Sequence, residues 1–149
     1  MIWYPHTTVA AVIEHDNRFL MVKEAPNNGE IVYNQPAGHL EEGENLIEAI
    51  IRETREETNW RLNPQGLVGV YRWQIPPQGA TYLRFCFHGS VEDHQPELAL
   101  DPDIIEVVWM SRGELEACRE QMRSPMVLRC IDDYLEGQRA PLSLLNDIA

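Results

Sequence analysis

Apolar residues recur along this chain in two rhythms. From residue 7 to 15 and from 18 to 24 they form short runs rich in Val, Ile and Phe, and Asp16-Asn17 between them predicts a turn joining two strands. Val32-Tyr33-Asn34 then leads into Gln35-Pro36-Ala37-Gly38, which suits neither a helix nor a strand interior. A shaped turn is expected there, running through Glu41-Glu42-Gly43-Glu44 into a helix. In that helix Ile47, Ile50, Ile51 and Thr54 fall on one side, while Arg52, Glu53, Glu56 and Glu57 fall on the other with Ala49 among them. Strands follow from Leu67 to Gln74 and from Thr81 to Val91, separated by the turn Ile75-Pro76-Pro77-Gln78-Gly79. Ile105 to Met110 is a further strand. Ser111 with Glu114 three residues on reads as a capping box, and a last helix runs from about Pro125 to about Glu136 and stops at Gly137. The pattern predicts an α/β (α+β) fold, a mixed β-sheet sandwiched between α-helices, with residues 1–149 forming one domain.

Chemistry enters with the second helix face. Glu53, Glu56 and Glu57 are spaced i, i+3 and i+4, so their side chains share one sector of the helix surface. Like charges so placed repel, and a bound hard cation removes that cost. Oxygen donors with no Cys and no tight His cluster suit Mg²⁺ or Mn²⁺ rather than Zn²⁺. Arg52, four residues before Glu56, is placed to hold that carboxylate by an ion pair. The plain alternative is a solvated acidic helix face. The shaped loop just before the helix weighs against it.

Charge narrows the partners. The net charge is −12, and the segment from Gly38 to Trp60 alone holds seven acids against Arg52 and Arg55. Such a surface repels nucleic-acid polymers and anionic membranes, whereas a small phosphate anion can enter once cations have reversed the local sign. The apolar runs are short, and Met1-Ile2-Trp3-Tyr4-Pro5-His6 lacks the basic start and apolar stretch of a signal peptide. Cys86, Cys118 and Cys130 are odd in number and widely spaced, so reduced thiols in a cytoplasmic protein are expected.

The stretch from Gly38 to Trp60 also resembles the Nudix box, the 23-residue signature of hydrolases that cleave nucleoside diphosphates linked to another group. Gly38, Glu44, Arg52, Glu53, Glu56, Glu57 and Trp60 match it in register. Two positions depart, Thr54 where an aliphatic residue is usual and Asn59 where Gly is usual. Thr54 faces the packed side, where its hydroxyl can bond back to a carbonyl of the preceding turn. Asn59 tolerates the left-handed backbone expected at the helix end. Thr8 to Ile13, Arg18 to Lys23, Asn34 to His39, Arg123-Ser124-Pro125 and Gly137-Gln138-Arg139 extend the resemblance to the NudJ-type phosphatases of that family.

The resemblance implies a Nudix fold and Mg²⁺-dependent hydrolysis, with Mn²⁺ as a substitute, of nucleoside tri- and diphosphates and of small diphosphates such as hydroxymethylpyrimidine pyrophosphate. It implies Glu53, Glu56 and Glu57 as metal ligands with the carbonyl of Ala37, Arg52 orienting Glu56 or Glu44, and Glu44 behind the ligands. The base is then Glu53 or a distal carboxylate. Glu97, Asp101, Asp103 and Glu106 are the candidates, Asp103 and Glu106 ranked first. Substrate-binding residues stay open. Tyr33, Tyr71, Trp73, Phe85 and Phe87 could stack on a ring or belong to the core, Arg72 and Arg84 could meet phosphate or solvent, and His39 is expected at the surface or behind the ligands. The expected partner is a small-molecule diphosphate, bound by a monomer or small homo-oligomer. Two alternatives are an ADP-sugar pyrophosphatase, since Pro76 lies 16 residues past the box end, and a non-catalytic Nudix-fold binding module.

Overall fold

A computed structural model describes residues 1–148. Eight strands run β1 (His6–Val12), β2 (Glu14–His15), β3 (Arg18–Glu24), β4 (Val32–Asn34), β5 (Ala37–His39), β6 (Arg61–Gln74), β7 (Thr81–Glu92) and β8 (Ile104–Ser111). Three α-helices accompany them, α1 (Leu46–Thr58), α2 (Arg112–Ala117) and α3 (Pro125–Leu135). One sheet is mixed, in the order β5-β1-β7-β6, with β1 parallel to β7 and antiparallel to β5. The other is antiparallel, with β3 between β4 and β8 and β2 on its N-terminal end.

The first apolar run is thus shared between two sheets. It leaves the mixed sheet after Val12 and joins the antiparallel one at Glu14, with Ile13 buried at the crossing. Asp16 and Asn17 both adopt positive φ, 52° and 63°, the backbone that matches the twist of a tight hairpin. The stretch Ala37-Gly38-His39 corrects the expectation of a turn: it pairs with Thr8, Val9 and Ala10 as an edge strand. β6 likewise starts at Arg61, not Leu67, and carries Pro64. An edge position tolerates a residue with no N–H, and the register shift between Pro64 and Gly66 absorbs it.

Alternating side chains send the mixed sheet's two faces into two apolar clusters. Val9, Ala11 and Phe87 pack against Ala49 and Ile50 of α1. Ala10, Val12 and Cys86 pack against Val127, Cys130 and Ile131 of α3. Ala49 is fully buried in the core, on the same stripe of the helix as Glu53 and Glu57. The helix buries a wide stripe that takes in Glu53 and Glu57, each 8% exposed. Among the described residues no helix is long and apolar enough to cross a membrane.

The helix signals read from the sequence are present. Ser111 caps α2 in a capping box with Glu114, Ser124 caps α3 with Pro125 at its first turn, and Gly137 follows it at φ 90°. Asn45 caps α1 in a second box with Glu48, and Asn59 closes it in the left-handed region, φ 63°. Thr54 departs from expectation. Its hydroxyl is buried without a hydrogen-bond partner, and the back-bond is made one turn later, where Thr58 Oγ1 donates to Thr54 O at 2.6 Å.

Candidate active site

The acidic side chains of α1 are set by what lies against them. Glu57 Oε1 accepts from the backbone N–H of Ala37 at 2.9 Å, which ties the helix to β5. One residue on, Gly38 leaves room for Glu53: a Cβ there would stand 2.1 Å from Glu53 Cδ. Arg52 gathers the remaining carboxylates. Its Nε and Nη2 grip Glu44 at 3.0 and 2.7 Å, its Nη1 donates to Glu53 at 2.8 Å and Glu56 at 3.1 Å, and Nη2 also reaches His39 O at 3.0 Å. Arg52 thus serves both of the glutamates expected of it and Glu53 as well.

A distant acid completes the cluster. Carboxylate oxygens of Glu53, Glu56 and Asp101 lie within 4.8 Å of one another. The loop that carries Asp101 hangs from the end of α1. Gln95 N donates to Asn59 O at 3.0 Å, Asn59 Nδ2 to Leu98 O at 2.7 Å, and Asp101 N to Glu56 O at 3.2 Å. Of the four distal candidates, Asp101 and Asp103 line the cavity beside this cluster, and Glu97 and Glu106 are not in its lining. Glu106 stands opposite Lys23 in the β3–β8 pairing and meets its ammonium at 3.8 Å, so strand register turns it away from the cluster.

Burial makes these charges costly. It pushes the Glu53 carboxyl up to about 7 against the pull of Arg52, and raises Glu57 well above the usual carboxylate range despite the Ala37 N–H. Asp101 is also raised by burial, whereas the bond from Arg52 holds Glu44 below its ordinary value and raises Arg52 in turn. Carboxylates whose charged form burial disfavours, close together, and with oxygen as the only donor type fit a hard divalent cation. Glu53, Glu56 and Asp101 could hold one, with Glu57 next to them.

The adjoining cavity has a volume of about 710 Å³. Its far wall is the sheet face bearing Trp73 and Tyr82, whose rings stack at 6.1 Å and 26°, and Tyr82 stacks in turn on His6 at 5.2 Å. His39 sits at the rim, exposed, its imidazole lowered from the ordinary value by partial burial. Arg84 lies on the floor, and Arg123 lines the cavity while paired with Glu24 at 2.7 Å. Of the other aromatic candidates, Phe87 is core and the Tyr71 hydroxyl donates to Asp133 at 2.8 Å; Tyr33 and Phe85, like Arg72, are not in the lining. Tyr82, Thr8 and Asn34 were not singled out in the sequence. Strand alternation, which puts Tyr82 on the same face as Arg84, was the signal that could have found the first.

Comparison with known proteins accords with this geometry. A family model described as the NUDIX domain matches residues 4–130. The Phosphatase NudJ of Escherichia coli K12 is 41% identical over 143 residues, which span 96% of this chain and 92% of the relative. A NUDIX hydrolase from Nitrosomonas europaea superposes with a TM-score of 0.95 at 45% identity, covering 97% of this chain and 98% of that one. A bifunctional NMN adenylyltransferase/ADP ribose pyrophosphatase from Francisella tularensis, in complex with AMP and a Mn ion, gives a TM-score of 0.67 at 26% identity, over 89% of this chain and 42% of that one.

Proposed function

Because the chain belongs to the Nudix hydrolase family, whose members hydrolyse phosphorus-containing anhydrides, we propose that it acts, with Mg²⁺, on nucleoside tri- and diphosphates and on small diphosphates such as hydroxymethylpyrimidine pyrophosphate. The observation that carries this reading is the meeting of Glu53, Glu56 and Asp101 within 4.8 Å at the edge of a 710 Å³ cavity with an aromatic wall. In it Glu53, Glu56 and Glu57 with the Ala37 carbonyl are the family's metal ligands, and Asp101 joins them. Mn²⁺ is a substitute.

A divalent cation, when bound, neutralises diphosphate oxygens and acidifies a water. The remaining work falls to side chains. Arg52, itself fixed by Glu44, holds Glu53 and Glu56 in one orientation. Its bond takes Glu53 Oε1 and leaves Oε2 to accept a proton from the attacking water, with Asp101 as the distal carboxylate that can do the same. Trp73 and Tyr82 offer ring faces for a heterocycle.

The mixed sheet packs on helices of its own chain, α1 on one face and α3 on part of the other, which supports one domain acting as a monomer or small homo-oligomer. Three unpaired thiols, Cys86, Cys118 and Cys130, support a cytoplasmic setting. Turnover of GDP, hydroxymethylpyrimidine pyrophosphate and ADP-ribose with Mg²⁺, with products resolved as orthophosphate or pyrophosphate, tests the reading. Orthophosphate from the first two is expected, and turnover of ADP-ribose alone would replace this assignment with the ADP-sugar one.

A further inference from the structure

Among the described residues four buried side-chain polar atoms have no hydrogen-bond partner, and three of them, Thr8 Oγ1, Asn34 Oδ1 and Arg84 Nε, belong to residues lining the cavity. Arg84 is the most demanding. It is 6% exposed, and no carboxylate among the described residues lies within ion-pair distance of it. Its Nη1 donates to Gln35 Oε1 at 3.0 Å. Gln35 is itself fixed, since its Nε2 donates to Ala11 O at 3.2 Å and to Cys86 Sγ at 3.6 Å, so its oxygen must face the guanidinium. A neutral amide therefore stands where a carboxylate would have closed the charge. Arg123, in the same cavity, is closed that way by Glu24. Burial of a guanidinium without a counter-charge is costly, and a ligand anion offsets it. Thr8, the register partner of Arg84 on β1, adds a free hydroxyl.

We propose that Arg84, with Thr8, is the anion receptor of the cavity, that it takes the terminal phosphate of the substrate, and that it makes the site prefer diphosphates and triphosphates with a free end over diphosphates capped at both ends. The proposal rests on the diphosphate-hydrolase reading above. A terminal phosphate carries close to two charges near neutral pH, an internal one only one, and a planar guanidinium matches its oxygens. So enclosed a group is reached by the end of a ligand more readily than by its middle.

Inorganic phosphate, which is not turned over, can be titrated by NMR in the presence of Mg²⁺ into the wild type, R84M and R84K. R84M is expected to bind it at least roughly tenfold more weakly, and R84K several-fold more weakly, since lysine keeps the charge but loses the fork. In the free R84M protein the removal of an uncompensated buried charge offsets the loss of the donor to Gln35 Oε1, so its Tm should stay within a few degrees of the wild type; an arginine with a merely structural role would lower the Tm while leaving phosphate affinity unchanged. Hydrolysis should move in parallel, with the preference in kcat/KM for ADP over ADP-ribose shrinking through the KM for ADP. Unchanged phosphate affinity in R84M, or in R84K should R84M not fold, would overturn the proposal. A wild type that hydrolyses neither nucleotide would refute the proposed function while the phosphate titration still reports on Arg84.

Discussion

At Gly38 the site depends on a missing atom. A methyl group there would meet the end of the Glu53 side chain, which could make room only by swinging away from its bond with Arg52. Gly38→Ala should therefore displace Glu53 from its partners while the helix stays formed. A loss of roughly 10–100-fold in Mg²⁺ affinity or kcat is expected, as for groups that orient ligands, with near-native circular dichroism; full activity would show that Glu53 need not sit where it does. Glu53 also predicts how stability varies with pH. Its carboxyl is raised from an ordinary 4.5 to about 7, so the folded state holds a proton that the unfolded chain gives up. That contribution is fully present below about pH 4.5 and is lost as pH rises through 7, on the order of 3 kcal/mol, and Glu57 acts in the same direction. Urea unfolding in EDTA should show stability falling from pH 5 to pH 8, and saturating Mg²⁺ should flatten the slope. A rise over that window in EDTA would contradict it. Glu44, with its lowered carboxyl, loses its contribution only at more acid pH. That the box glutamates share one helix sector was legible from spacing, and a metal role for them from the Nudix resemblance, but the choice among Asp101, Asp103 and Glu106 was not legible. It depends on how a loop hangs in space, and the two residues that separate Asp101 from Asp103 leave no mark on periodicity.

At the scale of elements, the C-terminal end of α1 does two jobs. It ends the helix in a left-handed residue, and through Asn59 and the Glu56 carbonyl it suspends the 95–101 loop that delivers Asp101. Arg55 adds a second tether, donating to Asp93 O at 2.8 Å and Asp93 Oδ2 at 3.0 Å. Asn59 thus does more than tolerate a conformation that Gly would adopt freely. Asn59→Gly should leave global stability within about 1 kcal/mol, since relief of the backbone offsets the lost bond, yet weaken Mg²⁺ binding roughly tenfold by loosening Asp101. Calorimetry with Mg²⁺ checks it, and unchanged affinity would show that the loop is held without Asn59. The caps of α2 and α3 and the Asp16-Asn17 turn were legible because local chemistry decides them. β5 and the start of β6 were not, because short edge strands form where a neighbour's backbone is offered, whatever Pro64 or Gly38 would choose alone.

For the whole molecule, the mixed sheet organises the chemistry by its two faces and its edge. α1 covers one face and turns its acids toward β5; the other face, beyond the part that α3 covers, opens as the cavity floor with Arg84, Tyr82 and Trp73. A chain of net charge −12 thereby sets acidic groups against Arg84, a buried cation with no carboxylate partner among the described residues. This explains how so acidic a protein can receive an anion: a cation on the acidic wall and Arg84 on the floor supply the charge the rest of the surface lacks. The helix positions and the shared helix sector of Glu53, Glu56 and Glu57 could be read in advance, whereas Asp101 and the floor could not, because an arginine in a strand looks the same in sequence whether it meets solvent or a ligand. The most direct test of the account compares orthophosphate release from GDP by the wild type and by Glu57→Gln across a Mg²⁺ titration, with folding of both verified by thermal melting. The account predicts Mg²⁺-dependent release by the wild type and a loss of at least roughly 100-fold in the variant at unchanged fold; equal, Mg²⁺-independent release by both would contradict it.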